Sequence, residues 1–187
     1  MAFDAFLILN AKPASNPPAF KCETTDKTFS KYIAMELQAF SGGFENPATT
    51  GGGGAGKVKF SELVITVPRS NNVVGFMQMC TRGQHFERLT IYLRKAGGEP
   101  ADGSGALFAA FTFGTAFVTR VTTDASSGDD VPTCQISFTY QQLAEHGTIQ
   151  RQDGSFKPDL IWAWDQGKNT KWDDNPLDGP GLNTNAP

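Results

Sequence analysis

The chain has 187 residues, enough for one domain with a sizeable core, and its 15 Phe and 19% charged residues point to a surface partly covered by another chain. A net charge of −3 with no Lys/Arg run longer than two residues lacks the basic stripe of a nucleic-acid binder. No apolar stretch reaches the roughly 18 residues of a membrane span, and Cys22, Cys80 and Cys134, odd in number and far apart, fit free thiols of a protein made in the cytoplasm.

The N-terminus, MAFDAFLIL, carries Asp4 where an export signal would be positive, and its apolar run is short, so export through a classical leader is not expected. Residues 3–9 read as a first strand, and the proline-rich residues 12–18 as a loop. Residues 29–40 read as a second strand region, with Ile33, Met35 and Leu37 alternating. Residues 42–56 form a long glycine-rich segment, and four consecutive glycines, Gly51, Gly52, Gly53 and Gly54, hold no fixed shape unaided.

From Gly51 the string G-x-x-x-x-G-K ends at Gly56 and Lys57, seven positions of a phosphate-binding loop. The eighth position should be Ser or Thr and is Val58, and the fold also requires a helix to start at the Lys. Instead Val58 and Phe60 alternate with Lys57, Lys59 and Ser61, and the β-branched Val64, Ile65, Thr66 and Val67 follow. Residues 57–67 therefore read as a strand, with the alternation slipping by one at Ser61 and Glu62. The glycines belong to a loop entering a strand rather than to a nucleotide site.

Residues 68–72 (PRSNN) stop the strand and cap a helix at Ser70. Val73, Phe76, Met77 and Cys80 follow at helical spacing, and Gly83 is placed to end the helix. Strand alternation returns over residues 86–95, a turn region over 96–105, and a long strand region over 106–121 carries Phe108, Phe111, Phe113 and Phe117. A polar turn (124–130) precedes another strand marked by Cys134, Ile136, Phe138 and Tyr140. Residues 149–165 hold a hairpin around Asp153 and Gly154, with Trp162 and Trp164 on one face of its second arm. After Asp165 the composition turns to Gly, Pro, Asn and Asp and predicts an irregular arm. Many strands, one short helix and regular turn signals make the fold mainly β, an antiparallel barrel or sandwich.

Residues for chemistry are sparse. His85 and His146 are the only histidines; Cys80 lies five residues before His85 across a helix end, which is more consistent with packing than with metal ligation. No G-x-S-x-G occurs, and the acid pairs Asp129–Asp130 and Asp173–Asp174 sit in turn-like segments where Asp serves the backbone. Trp162, Trp164 and Trp172 with Tyr92 and Tyr140 could stack on sugars, although alternation on a strand favours packing against the core or a neighbouring chain. No metal, cofactor or catalytic set is expected.

Four segments occur in an order and spacing that carry a resemblance: MAFDAFLIL at the start, GGGGAGKVKFSEL at 51–63, the capped helix ending in CTRGQHF at 80–86, and LTIYLRKAGGE at 89–99. SFTYQQL at 137–143 and the strand bearing Trp162 and Trp164 extend it. Together they resemble the haemolysin-coregulated protein (Hcp) family, the inner-tube protein of bacterial type VI secretion systems. The resemblance covers residues 1–165 and leaves residues 166–187 as a C-terminal extension.

It implies a two-sheet antiparallel β-barrel with one short α-helix, six copies in a ring around a channel, and rings stacked into a tube. The tube would be driven outward by a contracting sheath and secreted without a signal peptide, with sheath, spike and effector proteins as partners. No enzymatic role, nucleic-acid partner or membrane insertion is implied. A ring needs one patch of each copy to meet a different patch of the next. Residues 44–56 are the expected reach-out loop, which places Phe44, Gly51, Gly52, Gly53, Gly54, Gly56 and Lys57 at a subunit contact. Lys95, Gly97 and Gly98 are a second contact, by family position alone. A tube-end adaptor, a cargo-binding ring or a carbohydrate-binding module of the same fold is the competing reading.

Overall fold

A computed structural model of the chain describes residues 3–10, 18–47, 56–95, 105–126, 131–150, 156–173, 177 and 179–182, and for 149–150 and 156–160 the backbone only. The strands are β1 (Phe3–Asn10), β2 (Ala34–Leu37), β3 (Ala39–Ser41), β4 (Phe44–Glu45), β5 (Lys59–Phe60) and β6 (Leu63–Pro68). A helix, α1 (Asn71–Arg82), precedes β7 (His85–Lys95), β8 (Ala106–Asp124), β9 (Thr133–Thr139), β10 (Gln142–Gln150), β11 (Phe156–Asp165) and β12 (Thr170–Lys171).

All ladders are antiparallel. One path runs β2–β1–β7–β8–β9–β6–β3, and its two end strands are separated in the chain only by Gln38, whose N–H donates to the Thr66 carbonyl at 2.9 Å. The path therefore bends back on itself into a barrel-like wrap. Its interior holds Leu7, Leu63, Ile65, Leu89, Ile91, Ile136 and Phe138, all without solvent exposure, and α1 adds Val73, Phe76 and Met79.

Strand β8 organises the sheet. It pairs with β7 along Ala106 to Phe117, while its other edge takes β10 along Ala109 to Gly114 and then β9 along Phe117 to Asp124. The change of partner falls at Thr115, a non-glycine residue with φ +50°, opposite the link from β9 to β10 at Tyr140 and Gln141. From there β10, β11 and β12 extend the sheet outward as a wing.

The slip at Ser61 and Glu62 is real: it separates β5 from β6, and no helix starts at Lys57. The second strand region is shorter than the alternation predicts. Residues 27–31 form a turn, because Asp26 accepts the Thr28 and Phe29 amides on its side chain and the Ser30 amide on its carbonyl. Phe29 is thereby turned under the sheet, where its ring stacks on Phe6 at 4.2 Å.

Helix α1 ends as its sequence predicts, with Gly83 left-handed at φ +62° and Gln84 donating to the Met79 carbonyl at 3.1 Å. Its start differs. Ser70 stands at the cap position but makes no side-chain cap bond; the Asn72 amide donates instead to Glu23 Oε1 at 3.0 Å. The Asn72 side chain bonds the Lys21 backbone in both directions, at 3.0 and 2.8 Å. These bonds seat Phe20 against Gly75, Phe76 and Phe86.

Candidate assembly surface

On either side of residues 48–55, which lie outside the described residues, the chain forms a ribbon of two residues each, Phe44 opposite Phe60 and Glu45 opposite Lys59. Such a short ribbon is not stable alone, and the body holds it at several points. Ser61 donates to the Gly43 carbonyl from its amide at 2.9 Å and its hydroxyl at 3.0 Å, and the Tyr140 hydroxyl lies 3.4 Å from the same oxygen. The Phe60 amide donates to Gln166 Oε1 at 2.7 Å. Phe60 stacks on Tyr140 at 5.2 Å, and Tyr140 meets Phe113 edge-on at 4.9 Å. Phe44, 55% exposed, lies over Trp162 at 4.8 Å with the rings within 15° of parallel. At the mouth of the loop a Cβ on Gly56 would stand 3.0 Å from the Pro47 carbonyl oxygen, so the two sides of the neck are in contact.

Burial pushes the Tyr140 phenol up to about 12, so it stays a neutral donor across the physiological range. Beside it, the turn after β11 is closed by Asp165, which is buried and accepts the Lys168 amide at 2.8 Å and the Gln142 side-chain amide at 3.0 Å. Burial alone would raise the Asp165 carboxyl, but these donors, with the Lys168 charge and the Gly167 amide, hold it below its ordinary value. Asn169 turns the chain with φ +54°, and the Gln166 amide donates to the Gln141 carbonyl at 2.9 Å.

Of the residues expected at contacts, Phe44 and Lys57 are exposed and Gly56 half-buried at the neck. Lys95 ends β7, paired with Phe3 and Ala106, and Gly105, at φ +76°, packs against it: a Cβ there would come within 2.7 Å of the Lys95 carbonyl. Gly51, Gly52, Gly53, Gly54, Gly97 and Gly98 lie outside the described residues. Among the described residues, Lys95 and the ribbon lie apart. Ala106 precedes Phe113 by seven strand residues, about 23 Å at the usual strand rise.

The sugar-stacking set is not assembled either, because Tyr92 and Tyr140 are core residues. The tryptophans lie on the face of β11 that continues Leu143 of β10 and Phe113 of β8: Trp164 is half-buried opposite Leu143, and Trp162 is 38% exposed beneath Phe44. His85 stacks against Phe117 at 4.9 Å, and among the described residues no three His, Cys, Asp or Glu side chains cluster for a metal.

Sequence reasoning missed Phe60, Tyr140 and Gln166 as the parts that hold the ribbon. Phe60 and Gln166 are 106 residues apart, and nothing local in either segment announces the other. Two stretches of strand edge have no ladder partner among the described residues: 118–124 of β8, beyond the start of β7, and 156–162 of β11, before β12. Ile161, on the second edge, is 56% exposed.

Residues 16–145 match the family model described as "Type VI secretion system effector, Hcp". Protein Hcp1 of Pseudomonas aeruginosa is 30% identical over 99 residues, which span 53% of this chain and 59% of that protein. Among solved structures, one titled a type six secretion system protein superposes with a TM-score of 0.76 at 23% identity, over 91% of this chain and all of the other. Hcp1 from Salmonella typhimurium gives 0.70 at 16% identity, over 92% of this chain and all of the other.

Proposed function

The chain belongs to the Hcp family of type VI secretion proteins, and from that premise we propose that it is a tube subunit whose work is mechanical. Six copies close a ring, rings stack around a channel, and the assembly is secreted with sheath, spike and effector proteins as partners. The observation that carries this reading is the pair of strand edges with no ladder partner among the described residues, 118–124 of β8 and 156–162 of β11. They are different surfaces of one chain, which is what a head-to-tail ring contact requires. Edge pairing would supply main-chain hydrogen bonds at once.

The segment from Phe44 to Gly56, Lys57 included, leaves the body through a braced neck and reaches a neighbouring subunit or ring. Lys95, Gly97 and Gly98 form a second contact, between rings. No catalytic step and no cofactor are part of this function.

Purified protein imaged end-on by electron microscopy, with its mass measured under native conditions, tests the reading. Six-fold rings are expected; a monomer persisting at high concentration would sink it. Replacing Gly97 and Gly98 with bulky residues should leave rings intact while impairing stacking, and unaltered tubes would remove the role given to that turn. Amide exchange in the 48–55 segment should slow on assembly; equal rates in protomer and tube would count against the reach-out contact.

A further inference from the structure

We propose that Gln166 is a positioning residue for the reach-out loop: its side-chain oxygen accepts the Phe60 amide and so sets where the loop leaves the body. The proposal rests on the assembly reading above and adds to it a residue of the β11–β12 turn, far away in the chain from the loop.

The argument starts from the weakness of the neck. With two residues on each side, β4 and β5 cannot define their own position. The ring contacts with Trp162 and Tyr140 and the long bond from the Tyr140 hydroxyl to the Gly43 carbonyl, at 3.4 Å, hold the ribbon near the sheet, but these are weak restraints on register. A hydrogen bond fixes register because it weakens steeply with distance and angle. The bond at 2.7 Å from the Phe60 amide to Gln166 Oε1 ties the main chain of β5 itself to the β11–β12 turn.

Gln166 is well placed to act as a fixed post. Its own amide is bonded to Gln141, and the residue before it, Asp165, is buried and closes the turn through Lys168 and Gln142. The acceptor is thus anchored to β10 and to the β11–β12 turn. Its chemistry is also specific: the position needs an acceptor at the end of a side chain of this length. Glu retains an oxygen acceptor, whereas Met offers only a weakly accepting sulfur.

The test uses the full chain as wild type, Gln166→Met and Gln166→Glu. In soluble protomers, residue-resolved amide exchange at Phe60 should quicken roughly five-fold in the Met variant, the effect of one lost hydrogen bond, with β7 amides unchanged. Tube yield by sedimentation should fall several-fold in the same variant, and Glu should restore both readings.

The proposal is overturned if the Met variant assembles like wild type, or if Glu fails to restore the Phe60 amide. It is also overturned if β7 amides quicken along with Phe60, since the residue would then serve only folding. Failure of the wild type to form any ring defeats the assembly reading separately, while protomer exchange still reports on the neck.

Discussion

Replacing Gly75 with Ala should lower stability, although Gly in a helix interior is ordinarily a liability. Gly75 is the fifth of twelve residues of α1, and exchange for Ala there normally gains about 1 kcal/mol. Here an added Cβ would stand 2.6 Å from Cε1 and 2.9 Å from Cζ of Phe20. The Phe20 ring cannot retreat freely. It packs on Phe76 at 5.1 Å and Phe86 at 5.4 Å, and its chain is tied to Asn72 through the Lys21 backbone. Overpacking of this kind costs about 1–3 kcal/mol, and complete expulsion of a buried Phe costs about 3–5 kcal/mol. Set against the propensity gain, the net loss is about 0–2 kcal/mol if the ring shifts in place and about 2–4 kcal/mol if it is expelled, with the thermal midpoint lowered by about 2–4 °C for each kcal/mol at this chain length. Denaturant unfolding of wild type, Gly75→Ala, Phe20→Ala and the double variant provides the assay. With Phe20 truncated the obstacle is gone, so Gly75→Ala should become stabilising in that background. A stabilising Gly75→Ala in the intact protein, or equal effects in both backgrounds, would refute the reasoning.

Glu23→Ala should cost about 0.5–2 kcal/mol, the range of a lost helix cap, while Ser70→Ala costs far less, because the carboxylate and not the hydroxyl bonds the Asn72 amide; chemical denaturation distinguishes the two. Arg94 ion-pairs with both Asp26 and Asp4. Burial pushes the Asp26 carboxyl up, but the Arg94 guanidinium and the Thr28 amide outweigh it and hold the pKa below 3.8. That stability is present above the unfolded value and is lost as pH falls through the folded one, so a stability profile should drop below about pH 4, less steeply in Asp26→Asn. The Tyr140 phenol, raised by burial to about 12, acts in the opposite direction: its contribution is complete below the ordinary tyrosine value and fades as pH climbs from about 10 towards 12. Ultraviolet titration should find this phenol protonated until the protein unfolds. Deleting residues 174–187 should destabilise the barrel by about 1–3 kcal/mol, because Leu182 leaves a site where it is 7% exposed, and calorimetry should register the loss.

The strands were legible where alternation was clean. Cys134, Ile136 and Phe138 all turn inward from β9, and the slip at Ser61 and Glu62 marks a true break. The helix face was legible in part: Val73 and Phe76 are buried as their spacing predicts, but Met79 takes the core place expected of Met77 and Cys80, which are half-buried. Gly75 lies on that same face, and a count of apolar residues passes over it. The strand assigned to residues 29–40 failed at its start because Asp26 offers the backbone a turn, a side-chain choice stronger than the alternation after it. The start of β10 was missed for a related reason. Tyr140 and Gln141 interrupt what is almost one continuous strand along β8, and alternation counted through the kink loses its phase.

Strand β1 shows most clearly what a pattern can and cannot say. Its run Ala5-Phe-Leu-Ile-Leu9 is buried at every position, so it has no solvent face. An unbroken apolar strand in an antiparallel sheet implies cover on both sides. One cover is the barrel interior, reached by Ala5, Leu7 and Leu9. The other is built on Phe6 and Ile8 with Tyr92 and Ala110, and its lid comes from two distant places. Phe29 and Tyr32 arrive from the turn held by Asp26, and Leu177 and Leu182 from the C-terminal arm. Gly179 is the point of closest approach, where a Cβ would stand 2.6 Å from Ile8 Cδ1. The run in β1 thus announces that a lid must exist, while the arm that supplies part of it reads locally as irregular Gly, Pro and Asn. Burial is a property of pairs of segments, and only one member of this pair carries an apolar signal strong enough to read alone.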